Sequence, residues 1–169
     1  MNIPAEQVAY QEILAFLQNI EIQFANNEET LSAHFCLKIG FCDVDMLFFI
    51  DKAKKLIRLS APLPFRFAEA RRDEALRAAI TTNNYLSKGC FDYDPIEHRI
   101  VFRICNAYAT HDDGTAPFGA KNVYKDCISY IFAAAYNYIN NCAPLFFAVN
   151  ANTLSASDFP KKIKDFMKE

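Results

Sequence analysis

The residues able to do chemistry are few and scattered along the chain. His111-Asp112-Asp113 is the one tight polar cluster, and its oxygens could hold a divalent cation. The same Asp-Asp-Gly run is also ordinary turn chemistry. Cys90 and His98 could form a nucleophile pair across a hairpin, yet nothing near them would depress the thiol pKa. His34 falls on the alternate face of a strand and His98 at a turn, positions that suit surface or satisfied histidines. No glycine-rich phosphate loop, His-Glu-x-x-His or Gly-x-Ser-x-Gly occurs, and the whole chain has four glycines. With so few convergent titratable groups we expect no catalysis, no cofactor and no metal.

Six cysteines, Cys36, Cys42, Cys90, Cys105, Cys127 and Cys142, are spread out with no Cys-x-x-Cys pair. Each lies among apolar neighbours, so we expect reduced thiols in the core. The net charge of −2 and pI of about 5.9 lack the basic excess of a nucleic-acid binder. Lys161, Lys162, Lys164 and Lys168 are interleaved with Asp158, Asp165 and Glu169, as on a solvated helix face. The apolar runs fall short of the ~18 residues that span a bilayer. The Met-Asn-Ile-Pro-Ala-Glu start has neither the basic nor the apolar region of a signal peptide. A cytoplasmic location without nucleic-acid or membrane partners is expected.

The 169 residues suffice for one domain with a packed core, and 16 Phe with 8 Tyr supply the apolar area in the absence of Trp. We assign 1–169 to a single domain. Val8, Ile13, Leu14, Phe16, Leu17 and Ile20 predict a first helix that opens at Pro4 and runs through Asn19. Asn26 to Glu29 reads as a loop. Leu31 to Ile39 alternates, with Leu31, Ala33, Phe35, Leu37 and Ile39 on one face. Val44, Met46, Phe48 and Ile50, then Ile57, Leu59 and Ala61, continue that face through two more strands of a meander. Pro62 and Pro64 end it. A helix from Glu69 to Asn83 follows, with Ala75, Leu76, Ala79 and Ile80 near its inner face. Gly89–Asp94 and Arg99–Asn106 form a hairpin through an Asp-Pro turn that lacks the expected glycine. Thr110 to Gly119 is a loop. Lys121 to Asn141 is a long helix with two apolar faces, one carrying Val123, Cys127 and Tyr130, the other Tyr124, Ile128 and Phe132. Pro144 to Asn150 is a tail packed on the body, and a last short helix covers Asp158 to Met167. The fold class is therefore α+β, an antiparallel sheet with helices in the order α-β-β-β-α-β-β-α, plus a short C-terminal helix.

The outward face of this sheet is more apolar than solvent requires. Cys36, Leu47, Phe49, Leu56, Val101 and Cys105 lie there, with Arg58, Arg103 and His34 among them. Either the first or last helix of the chain covers this face, or it is a dimer or partner interface able to hold an apolar or extended peptide. We take Cys36, Leu47, Phe49, Leu56, Arg58, Val101 and Arg103 as the candidate partner-binding residues.

The element order resembles the type III secretion chaperone fold. The central stretch is similar to the YbjN family: Leu-Pro-Phe-Arg before the helix, Asn83 near its end, then Gly89, Phe91 and Asp94 leading into Ile-Val-Phe-Arg. The late Asn-Asn-Cys-Ala-Pro-Leu-Phe-Phe-Ala-Val segment is similar to the family's close. The resemblance covers roughly Leu31 to Val149. It implies a homodimer and a chaperone- or regulator-like role in binding another protein, with no cofactor or catalysis. The alternative expectation is a small-ligand- or metal-binding, or enzymatic, domain that uses the 109–119 loop.

Overall fold

Sequential antiparallel pairing builds most of the sheet. The computed structural model describes residues 3–155 and 157–166; Met167, Lys168 and Glu169 lie outside the described residues. Helix α1 spans Ala5–Asn19 and starts after Pro4. Strand β1, Phe24–Asn27, pairs with β2, Ser32–Ile39; β3 is Cys42–Asp51 and β4 is Leu56–Pro62. A 3₁₀ turn at Glu69–Arg71 leads into α2, Arg72–Asn83. The hairpin of β5, Cys90–Asp94, and β6, Arg99–Ala107, precedes α3, Ala120–Asn150, and α4, Phe159–Phe166. All six strands join one antiparallel sheet in the order β1-β2-β3-β4-β6-β5. The protein is α+β, as its periodicities predict.

The helices share one side of the sheet. Phe35 of β2 lies 6.3 Å from Phe132 of α3, which also meets Phe16 of α1 at 5.3 Å. Phe91 of β5 and Phe102 of β6 meet Phe146 and Tyr138 of α3 at 4.9 and 5.9 Å. Phe159 of α4 stacks on Phe146 at 5.7 Å. The inward row expected from alternation is buried at Leu31, Ala33, Phe35, Ile39, Val44, Met46, Phe48, Ile50, Ile57, Leu59 and Ala61, and half-buried at Leu37. At about 25 cal/mol per Å² of apolar surface, this face supplies the main driving force for folding.

Tertiary context overrides the sequence signals in several places. Phe24–Asn27 was expected to end in a loop, yet it forms a fourth strand before α2 by pairing Phe24 with Phe35 and Asn27 with Ser32. Its Phe-Ala-Asn-Asn sequence is poor in strand formers, so the neighbouring β2 edge supplies what propensity does not. The long helix does not stop at Asn141. It continues through Pro144 to Asn150 because Cys142, Ala143, Leu145, Phe146 and Val149 are buried around the proline. Their burial outweighs the ~3 kcal/mol or more that an interior proline costs. One apolar face of α3 is the better buried: Tyr124, Ile128, Ala135 and Ile139 are inside and Phe132 is half-buried, whereas Val123 and Tyr130 of the other face are exposed. On α2 the inner face is Ala75, Ala78, Ala79 and Thr82, and Ile80 is exposed.

Turn chemistry is local. Asp94 Oδ1 accepts from the backbone N–H groups of Ile96 and Glu97 at 2.9 and 3.1 Å. His98 then takes the left-handed conformation, φ +52°, where a glycine is the usual choice. The Phe67 N–H to His98 carbonyl bond at 2.7 Å and the Tyr93 hydroxyl on His98 Nδ1 at 3.0 Å hold it there.

Candidate functional site

Because the helices occupy one side, the opposite rows of the sheet are left without a covering layer among the described residues. The register fixes who is adjacent. Phe49 lies opposite Arg58, Leu47 opposite Ser60, Arg58 opposite Cys105, and Arg103 between Ser60 and Cys90. These residues line an open groove of about 390 Å³ together with Lys88, Gly89 and edges of Leu59 and Ile104. Leu47 and Phe49 are half-buried, an intermediate state for large apolar side chains on an uncovered face.

The groove has an apolar floor edged by two arginines, each ion-paired. Arg58 packs its guanidinium 5.9 Å from the centre of the Phe49 ring and pairs with Asp51 at 3.2 Å. Its Nε is shielded and has no acceptor among the described residues. Arg103 donates from Nη1 to Asp92 at 2.8 Å. Lys88 donates to Asn106 Oδ1 at 3.3 Å and sits 5.3 Å from the Tyr130 ring centre. Asn106 shares the helix-facing row of β6 with Phe102 and Ile104, and Tyr130 belongs to α3, so the Lys88 ammonium turns to the helix side and the cations on the groove face are Arg58 and Arg103. Asp51 and Asp92, in the same outward rows, each pair with one of them.

The seven residues predicted from sequence share this face but not one site. Leu47, Phe49, Arg58 and Arg103 meet at the groove. Cys36 is one strand away on β2, exposed and opposite Asp45. Leu56 begins β4, opposite Asp51 and Ala107. Val101 is buried and borders an adjoining polar hollow of about 300 Å³ with Asp94, Glu97 and Arg99, which shares Ser60 and Arg103 with the groove. Lys88, Ser60 and Cys90 were missed as lining residues. Hairpin pairing places Cys90 beside Arg103, so alternation along β5 could have found it; Lys88 precedes the strand and gives no periodic signal.

The cysteines correct one expectation. All six are free, but only Cys142 is buried, and Cys36 and Cys105 are exposed. Burial, and after it the Asp92 carboxylate, pushes the Cys90 thiol up to about 11. At neutral pH it is protonated and a poor nucleophile. Cys90 and His98 stand at opposite ends of the hairpin, since Cys90 opens β5 and His98 lies in the turn after Asp94.

The loop preceding α3 uses its polar groups internally. Asp113 Oδ1 accepts from the Thr115 N–H at 2.9 Å and its hydroxyl at 2.6 Å, and these bonds hold the Asp113 carboxyl below its ordinary range. Ala5 N–H to the Gly114 carbonyl at 2.9 Å and Ala116 N–H to the Ile3 carbonyl at 3.3 Å tie the loop to the start of α1. His111 and Asp112 are exposed. Among the described residues, no three His, Cys, Asp or Glu side chains gather as metal ligands.

No family model matches the chain, and no curated protein or solved structure is significantly similar to it. Among the described residues, no helix is long and apolar enough to cross a membrane.

Proposed function

We propose that the protein is a non-enzymatic, cytoplasmic binding module, YbjN-like and chaperone- or regulator-like in role, that acts as a homodimer and seats a segment of another polypeptide on its open sheet face. One observation carries this: the helices pack on a single side of the sheet, and the other side presents Leu47 and Phe49 beside Arg58 and Arg103. An apolar patch bordered by charge is the usual character of a protein interface. The dimer follows from the family resemblance.

Light scattering on a sizing column tests the assembly. The expected mass is twice 19.3 kDa, and a monomer at micromolar concentration removes the dimer. Phe49→Asp tests the face. The variant should keep its circular dichroism and lose association through this surface. Unfolding instead would make Phe49 a core residue and overturn the assignment.

A further inference from the structure

We draw no further inference here: the strongest candidate, the groove on the open sheet face floored by Leu47 and Phe49, has both of its arginines ion-paired to Asp51 and Asp92, and nothing in the structure shows what covers it.

Discussion

Asn83, in the last turn of α2, satisfies both backbone polar groups of Phe91 in β5: its Oδ1 accepts from the Phe91 N–H at 2.7 Å, and its Nδ2 donates to the Phe91 carbonyl at 3.0 Å. β5 is an edge strand, and the amide side chain stands in for a neighbouring strand at this residue. The same residue fixes how α2 meets the sheet, because Phe91 points inward against Phe102 and Phe146 at 4.9 Å each. Asn83→Ala should therefore lower unfolding free energy by about 1–3 kcal/mol, the penalty for partly buried backbone groups left without partners. Urea denaturation measures it. Asn83→Asp should also destabilise, since a carboxylate would face the Phe91 carbonyl.

Adjacent Phe48 and Phe49 point to opposite faces of β3. Phe48 is fully buried and stacks on Phe35 at 6.0 Å; Phe49 is half-buried on the open face. Phe48→Ala should cost about 3–5 kcal/mol, as for a buried aromatic that leaves a cavity. Phe49→Ala should cost about 1 kcal/mol or less, because solvent fills the space it leaves. Comparable losses by thermal unfolding would mean that the open face is covered.

Thiol reactivity should follow exposure. At pH 8, iodoacetamide should modify Cys36 and Cys105 first and Cys142 only after unfolding, as read by mass spectrometry of the peptides. Burial raises the Cys142 thiol from an ordinary 9.0 to about 12. The sign follows from linkage: in the unfolded chain this thiol ionises near 9, while the folded chain keeps it protonated. Its contribution to stability is fully present below pH 9 and is lost as pH rises toward 12. Cys142→Ala should flatten the fall in stability across that window.

Pro144 interrupts α3 where no N–H can reach the Asn140 carbonyl, four residues back. Pro144→Ala restores a donor and a good helix former, so stability should rise by about 1–3 kcal/mol. Thermal unfolding reads this directly. A drop would show that the ring packs more tightly against its neighbours than an intermediate exposure indicates.

The amino-acid sequence by itself determined the α+β class, three of the four strands of the meander, the hairpin and both rows of the sheet, because period-two alternation encodes which face is buried. Ala33, Phe35, Phe48 and Leu59 were legible as core for that reason, and Leu47, Phe49, Arg58 and Arg103 as an outward row. Only the tertiary structure decided the rest. Phe24–Asn27 became a strand because β2 offered it an edge, not through its own propensity. The helix ran past Pro144 because buried neighbours on both sides outweighed one missing hydrogen bond. The groove exists because α1, α2, α3 and α4 pack on the same side, and Lys88 borders it through a turn that no periodicity describes. Alternation is a local property of the backbone and survives in the sequence. The side of the sheet to which a helix returns, and the face left open as a result, depend on contacts between residues far apart in the chain.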